Sequence, residues 1–307
     1  MFRLSPVSRG ALLQRRHRAR QPAPEETAVP LVTMRELLEA GVHYGHHTSR
    51  WNPKMKPYIY KARHSIHVVD LRQTVRGLVR ARRFLTSIAE QGGEVILVGT
   101  KKQARSTIED QAKHGGCHYV SERWLGGTLT NFNIILNRVA RLKELEALDE
   151  TGEIENRGKK YAAVLRREKA KLLKNLGGIR EMKRMPDAMI LIDPRREKNA
   201  MREALLLDIP IIAFLDTDAD PDNIDIPIPG NDEAMRSIRL ICTKLMDAVL
   251  EGKANRPMPA EETAETADAA PAADAEPVPA QPEAAPEEPP PDADAPAEQP
   301  QGAEPVA

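Results

Sequence analysis

The chain has 307 residues, enough for one large domain or two ordinary ones, and 45 Lys and Arg balance 45 Asp and Glu. The two cysteines, Cys117 and Cys242, are too few for a disulfide framework, and no run of about 18 apolar residues predicts a membrane span. A reduced, cytosolic compartment is the default expectation for such cysteine usage.

The balance of charge hides a division along the chain. No Lys or Arg follows Arg256, and thirteen of the 45 acidic residues lie between Glu261 and Glu304, which leaves 32 acidic against 45 basic residues before them. Residues 1–256 therefore carry a net charge of +13. This basic body favours a nucleic-acid partner, with a solvated lysine-rich surface as the alternative.

The first 24 residues are basic and contain no acid. Residues 1–31 are interpreted as a basic flexible arm or as a mis-assigned translation start, the true start then lying near Val29 to Met34. An organellar transit peptide, and with it a location in an organellar matrix, is the minor alternative. The six arginines of this segment are Arg3, Arg9, Arg15, Arg16, Arg18 and Arg20.

The ordered body begins near Val32, where Thr33 and Glu36 have the spacing of a helix capping box and Leu37 and Leu38 are expected to face inward. Short apolar strands then alternate with amphipathic helices, which predicts an α/β fold with a doubly wound parallel sheet covered on both faces. The predicted strands span 65–71, 94–100, 117–120, 188–193 and 209–216, and the predicted helices span 74–91, 104–114, 197–207 and 232–250.

Two charged helical segments, 129–149 and 158–176, interrupt this alternation and are joined by a turn-rich segment over 149–158. Each has a narrow apolar stripe at three- and four-residue steps, which favours an antiparallel coiled-coil hairpin over two ordinary surface helices. The α/β domain is then discontinuous, over 32–128 and 177–252, with residues 129–176 as the insertion. The stripes are Ile135, Val139, Leu142 and Leu145, then Tyr161, Leu165, Leu172 and Leu176.

Beyond this body, residues 253–307 are rich in Ala, Pro, Glu and Asp and contain almost no large apolar side chain. Such a segment buries too little surface to offset its ordering entropy, so it is predicted to be disordered. Its acidic residues would repel RNA, and we expect it to act as a solubilising tail.

Two patterns that suggest small-ligand sites are incomplete. The segment "VGTKKQA" places Gly99 before a predicted helix but lacks the second glycine of a phosphate-binding loop and every glycine pair of a dinucleotide fingerprint. An RNA phosphate could still bind there through backbone amides, Lys101 and Lys102. The calcium-like run that begins at Asp216 has Pro221 where the loop needs glycine. No motif for a nucleophilic enzyme is present, and no small-molecule substrate is expected.

The three histidines of "GVHYGHHTSRW" raise the question of a metal. His43 and His46 are three positions apart and could share a helical turn, with His64, His67 or acids at strand ends completing the ligand set. No thiolate pairs with them and no H-E-x-x-H motif is present. No cofactor is therefore expected, and a structural metal at His43 and His46 is the less favoured option.

The segment 50–63, "RWNPKMKPYIYKAR", is typical of an RNA contact. Five of its fourteen residues are basic and they alternate with aromatic side chains that can stack on exposed bases. Two prolines predict an extended loop, and binding through charge predicts strong salt dependence. The candidate contact residues are Arg50, Trp51, Lys54, Lys56, Lys61 and Arg63.

Several long segments resemble the bacterial family of small-subunit ribosomal protein S-two. They are "MRELLEAGVHYGHHTSRWNPKMKPYIY", "VGTKKQA", "RWLGGTLTNF", "LGGIREM", "PDAMILIDP" and "IPIIAFLDTDADPDNIDIPIPGNDEAMRSI", and they follow the family's order from about Val32 to Gly252. His47 departs from the glutamine common at that position. Both chain ends lie outside the resemblance.

The resemblance implies a Rossmann-like fold with an inserted coiled-coil hairpin and a structural, non-catalytic role. Such proteins bind rRNA at the junction of head and body in the small ribosomal subunit and help dock the mRNA-binding ribosomal protein S-one. A cytoplasmic, ribosome-bound protein without membrane contact is expected. Further RNA contacts implied for this chain are Arg123, Arg138 and Arg141, with Lys143.

Overall fold

The computed structural model describes residues 32–156 and 158–256 of the chain. The predicted basic arm and nearly all of the predicted acidic tail lie outside these residues. Helix α1, Met34–Glu39, begins with the predicted capping box: Thr33 Oγ1 accepts from the Glu36 amide at 3.2 Å, and the Thr33 amide donates to Glu36 Oε2 at 3.0 Å. Leu37 is buried as predicted, but Leu38 is half exposed, because it lies on the opposite side of this short helix.

A small antiparallel sheet follows and has the strand order β1-β3-β2. Strands β1, Tyr44–His47, and β2, Ile59–Arg63, both pair with β3, Ile66–Val69, and a six-residue 3₁₀ segment, Pro53–Tyr58, precedes β2. The predicted extended loop over 50–63 is therefore wrong. The predicted strand over 65–71 exists, but it is not part of the parallel sheet, because the two-residue turn at His64 and Ser65, both with positive φ, makes a hairpin with β2.

The second sheet is five-stranded and wholly parallel, in the order β5-β4-β6-β7-β8. It contains β4 (Val95–Val98), β5 (His118–Val120), β6 (Ala188–Ile192), β7 (Ile211–Leu215) and β8 (Ile226–Pro229). Four of these strands confirm the prediction. The fifth, β8, was missed because its sequence is IPIP; proline is tolerated in this strand because it lies at the sheet edge.

Helices cover both faces of the parallel sheet, which is consistent with a Rossmann-like arrangement. Side chains alternate along each strand, so that Leu97 and Ile190 pack against one helical layer and Ile96 and Leu191 against the other. No helix of the described residues is both long and apolar enough to cross a membrane. After α1, the helices are α2 (Leu71–Glu90), α3 (Arg105–Gly115), α4 (Phe132–Glu150), α5 (Glu153–Asn156), α6 (Lys159–Leu176), α7 (Lys198–Leu206) and α8 (Met235–Ala254).

Helices α4 and α6 pack against each other where the sequence predicts a helical pair. All four apolar residues of the first predicted stripe are buried on α4, and Leu165 and Leu176 are buried on α6. Tyr161 is about half exposed, so its predicted place in the second stripe is wrong; the buried residue in this turn of α6 is its neighbour Ala162, which packs with Leu145 of α4. The predicted turn between them contains the short helix α5. The coiled-coil character of the pair stays a prediction.

Candidate nucleic-acid interface

The loops at the carboxyl edge of the parallel sheet bring distant charged residues together. Lys101 follows β4, Asp193 follows β6, Asp216 follows β7 and Asp232 follows β8. Lys101 Nζ lies 2.7 Å from Asp232 Oδ1 and 3.9 Å from Asp193 Oδ2. In open parallel sheets this edge is where ligand-binding groups gather. Here the edge is strongly acidic, and its one largely buried lysine in the described residues is already paired.

The small antiparallel sheet is held against this edge by backbone contacts. The His46 amide donates to Thr217 Oγ1 at 3.0 Å, and the Asn52 amide donates to the Thr217 carbonyl at 2.8 Å. Gly45 allows the approach, because a Cβ at this position would lie 2.7 Å from Thr217 Cγ2 and 3.1 Å from the His67 carbonyl oxygen. The segment 41–63 is thus a folded layer on the α/β core.

Two of the predicted RNA-binding residues in this layer are neutralised by acids from the loop after β7. Arg50 lies 3.0 Å from Asp218 Oδ2, and Lys54 pairs with Asp220 at 3.0 Å and with Asp222. These acidic partners raise the pKa of Lys54 further above its ordinary value, so the ammonium group stays charged. Each of these cations joins the small sheet to the core.

The other basic residues of the segment point away from these acids. Lys56, Lys61 and Arg63 are exposed and make no ion pair within residues 32–156 and 158–256. Lys61 Nζ lies 5.5 Å from the centre of the Tyr60 ring, and Tyr60 is 68% exposed. Trp51 is 37% exposed, with its ring centre 5.2 Å from that of His67. Exposed cations beside exposed aromatic rings suit contact with phosphates and with unstacked bases.

The two lysines after β4 differ in their environments. Lys101 is 12% exposed and occupied by Asp232, whereas Lys102 is exposed and has no ion-pair partner in the described part of the chain. The side chain of Lys101 therefore stabilises the acidic edge, and Lys102 is the one that faces solvent.

The loop that carries Arg123 is organised by a buried carboxylate that none of the sequence motifs contains. Glu203 of α7 is 7% exposed; its Oε1 accepts from Trp124 Nε1 at 3.0 Å and from the Gly127 amide at 2.8 Å. Its Oε2 accepts from the Leu129 amide at 3.0 Å and from the Thr130 amide at 3.2 Å and hydroxyl at 3.3 Å. One side chain thus fixes residues 124–130, and Arg123 at their start stays exposed.

The two predicted RNA-binding arginines on helix α4 also differ in their ion pairing. Arg138 is exposed and unpaired within the described residues. Arg141 is 41% exposed and contacts Glu144 at 3.1 Å and Glu168 of α6 at 3.3 Å, which raises its pKa further above the ordinary value. Arg141 thus links the two helices, whereas Arg138 has no acidic partner within the described residues.

Burial and neighbouring charges shift several pKa values at the acidic edge. The Asp216 carboxylate, 2.9 Å from His46 Nδ1, raises the pKa of His46 to about 9. Burial, together with the charges of Asp193 and Asp216, raises the pKa of Asp232 to about 7. Burial also raises the pKa of Asp193. These shifts all reflect carboxylates crowded into a site with little water. His43 does not join them; its ring packs on Tyr44, and burial lowers its pKa.

Comparisons with known proteins identify the family of this chain. The family described as "Ribosomal protein S2" matches residues 37–252. A protein named "Small ribosomal subunit protein uS2" from Rippkaea orientalis is 53% identical over 225 residues, which are 73% of this chain and 84% of the relative.

Two other proteins of the same name are nearly as similar. The one from Synechocystis is 52% identical over 229 residues, covering 75% of this chain and 85% of its own length. The one from Synechococcus elongatus is 52% identical over 223 residues, which are 73% of this chain and 89% of the relative. The matched region contains both sheets and all the described helices, except the first residues of α1 and the last residues of α8. The chain therefore belongs to the ribosomal protein S2 family, a structural and non-enzymatic family, and is a constituent of the small ribosomal subunit with a role in translation.

Proposed function

We propose that this protein binds small-subunit rRNA through the exposed cations of the layer formed by residues 41–63, together with cations of the adjacent loops. The observation that supports the proposal is that some of the predicted RNA-binding cations are paired with acids and others have no acidic partner in the described residues. Lys56, Lys61 and Arg63 lie on one exposed layer without acidic partners in the described residues, next to Trp51 and Tyr60. Phosphate oxygens are the anions that such a surface lacks.

Three exposed cations outside this layer belong to the same proposal. Lys102 lies in the loop after β4, Arg123 in the loop after β5, and Arg138 on α4. Arg50, Lys54, Lys101 and Arg141 are assigned a different part: their acidic partners already neutralise them, so they position the elements that carry the free cations. Binding through the free set should be dominated by phosphate charge and fall steeply with salt.

Charge reversal at two free lysines tests the proposal. In full-length protein, Lys56→Glu with Lys61→Glu should reduce affinity for small-subunit rRNA at least about tenfold and lower the salt slope by about 0.7–0.9 per lost phosphate contact. The matched control is Lys113→Glu with Lys183→Glu, two exposed lysines near the amino edge of the parallel sheet. Both pairs change the net charge equally.

Filter binding at several salt concentrations and sedimentation of reconstituted small subunits supply the measurements. Normal incorporation of the Lys56/Lys61 variant would show that this layer does not determine binding, and an equal loss in both pairs would show that general charge does.

We also propose that the protein docks the mRNA-binding ribosomal protein S-one and acts at the junction of head and body in cytoplasmic ribosomes, as membership of the family supports. An insertion of residues 129–176 as a coiled coil into a discontinuous α/β domain is part of the same proposal. Subunits reconstituted with and without this protein should differ in the amount of ribosomal protein S-one that co-sediments. Equal amounts would remove the docking role and leave rRNA binding intact.

A further inference from the structure

A pocket of about 370 Å³ lies at the amino edge of the parallel sheet, opposite the edge that carries the layer of residues 41–63. It forms where the turn before β4, the turn before β5 and the end of α8 meet. Its volume is at the lower end of the range that small ligands occupy in proteins. Its lining includes Glu94, His118, Lys253 and Arg256, together with Gly92 and Gly116.

Two glycines with positive φ make room for the two cations of the pocket. Gly116 ends α3 with a φ of +58°, and a Cβ at this position would lie 2.9 Å from Lys253 Nζ. Gly92 follows α2 with a φ of +69°, and a Cβ there would lie 3.1 Å from Arg256 Cζ. A side chain at either position would be strained and would crowd the cation beside it. The turns after α2 and α3 are thus shaped around the ends of these two side chains.

Neither of the two cations is neutralised by an acid. Lys253 Nζ donates to the Gly115 and Gly116 carbonyls at 2.8 and 2.7 Å. These bonds satisfy carbonyl groups at the end of α3, but a carbonyl cancels no formal charge, and the ammonium group keeps a third N–H for another acceptor. Arg256 is exposed and makes no ion pair or side-chain hydrogen bond within residues 32–156 and 158–256. Two uncompensated positive charges therefore line the pocket.

The carboxylate that lines the pocket, Glu94, is itself paired. Its Oε1 lies 3.1 Å from Arg184 Nε, and its Oε2 lies 3.3 Å from His118 Nε2. A second acid nearby, Asp187, is buried, does not line the pocket, and lies 3.6 Å from the Arg184 guanidinium. An anion that enters the pocket would thus meet two free cations, while the nearest carboxylate is already occupied.

We propose that this pocket binds a phosphomonoester of about the size of a nucleoside monophosphate. A phosphomonoester carries a charge of about −1.5 to −2 at pH 7 and three acceptor oxygens, which matches two cations. A carboxylate or a phosphodiester carries a single negative charge and would leave one cation uncompensated. The guanidinium of Arg256 offers a planar pair of donors to two phosphate oxygens, and the ammonium of Lys253 offers its remaining N–H to the third.

The rest of the pocket wall suits the organic group of such a ligand. Ala89, Val95 and Val249 contribute apolar surface against which a sugar or a base can pack. Two sources supply a phosphomonoester of this size: a free nucleotide and the 5′-phosphorylated end of an RNA strand. The pocket and the layer of residues 41–63 lie at opposite edges of the parallel sheet, so occupation of the pocket does not displace RNA from that layer.

Calorimetric titration of the full-length protein at low salt tests the pocket. Adenosine 5′-monophosphate should bind at one site per chain, inorganic phosphate should compete with it, and adenosine should not bind. Arg256→Gln and Lys253→Gln should each weaken this binding at least about tenfold, as expected for the loss of one charge-assisted contact. Arg256→Lys should recover part of the loss, because it keeps the charge and loses the planar pair of donors.

Arg239→Gln and Lys113→Gln are the matched controls, because each removes one exposed positive charge from α8 or α3 without lining the pocket. Thermal unfolding shows which variants are folded. Lys253→Gln loses two hydrogen bonds to carbonyls, whereas Arg256→Gln loses no ion pair or side-chain hydrogen bond of the described residues, so the Arg256 variant keeps the test valid if the other unfolds.

Two RNA tetranucleotides, one with a 5′-phosphate and one with a 5′-hydroxyl group, distinguish the sources. Tighter binding of adenosine 5′-monophosphate than of the phosphorylated tetranucleotide assigns the pocket to a free nucleotide, and the reverse order assigns it to an RNA end. The proposal is overturned if removal of the phosphate leaves the affinity of both probes unchanged, or if Arg256→Gln weakens binding no more than the two controls do.

Discussion

Replacing Glu203 with Gln should unfold the loop of residues 124–130 and destabilise the whole domain. The change conserves size and shape but removes one of two carboxylate oxygens. Oε1 accepts two N–H groups, and Oε2 accepts two amides and a hydroxyl. A glutamine amide offers an oxygen to one set and an NH₂ group to the other. Whichever way it turns, one buried donor and one partly buried donor then face a third donor.

The size of the effect follows from the number of lost acceptors. A buried donor left without a partner costs about 1–3 kcal/mol, and hydrogen bonds to a charged group lie at the upper end of the usual range. Two fully buried donors would give about 2–6 kcal/mol; because one of the two is only partly buried and the loop can move toward water, we expect a loss of about 2–4 kcal/mol. That is a large part of the roughly 5–15 kcal/mol by which domains are stable.

Urea unfolding followed by circular dichroism gives the free energy, and fluorescence in a Trp51→Phe background reports on Trp124, whose indole N–H is one of the donors. Arg202→Gln is the matched control, because Arg202 is the exposed neighbour on the same helix. If Glu203→Gln lowers the free energy of unfolding by less than about 1 kcal/mol, water or an alternative partner satisfies these donors and the reasoning fails.

Four further outcomes are expected. Glu197→Ala removes a buried acceptor and should cost about 1–3 kcal/mol, whereas Glu197→Gln keeps it. Because burial raises the pKa of Glu197 above its usual 4.5, the native state loses stability as pH rises above 4.5, and urea unfolding should show this loss in the parent but not in Glu197→Gln. Gly45→Ala should lower stability by about 1–3 kcal/mol, and Thr217→Ser should partly restore it. Burial raises the pKa of Cys117 to about 11 and of Cys242 to about 12, so neither thiol should react with a disulfide reagent at pH 8 until the protein is unfolded.

The central strands were predictable because burial on both faces produces continuous apolar runs. Strands β6, Ala188–Ile192, and β7, Ile211–Leu215, are each buried throughout. Neither of their apolar runs could be confused with the start or end of a helix. The small antiparallel sheet gave no such pattern. β2 is almost wholly exposed and contains two basic residues, so its pairing with β3 depends on the hairpin turn and not on burial.

Site chemistry was predictable only in part, since a sequence shows charges but not their partners. Lys54 and Asp220 are 166 residues apart, and nothing local relates them. Glu203 did leave a signal: it falls at a helical step from Ala200 and beside Ala204, both fully buried, so an acid is placed on the apolar face of α7. A buried acid at such a position requires several donors, and the glycine-containing loop after β5 supplies them.

Because Lys54 is paired with acids and Lys56 is not, charge reversal at these two lysines measures two different properties. Lys54→Glu would place a third carboxylate beside Asp220 and Asp222 and would weaken the contact between the segment 41–63 and the core without any RNA present. A loss of rRNA binding in that variant would therefore report a misplaced layer. Lys56 has no acidic partner in the described residues, so its reversal removes attraction for phosphate and leaves the junction unchanged. The free cations, and not the most conspicuous ones in the sequence, are the residues whose substitution tests recognition.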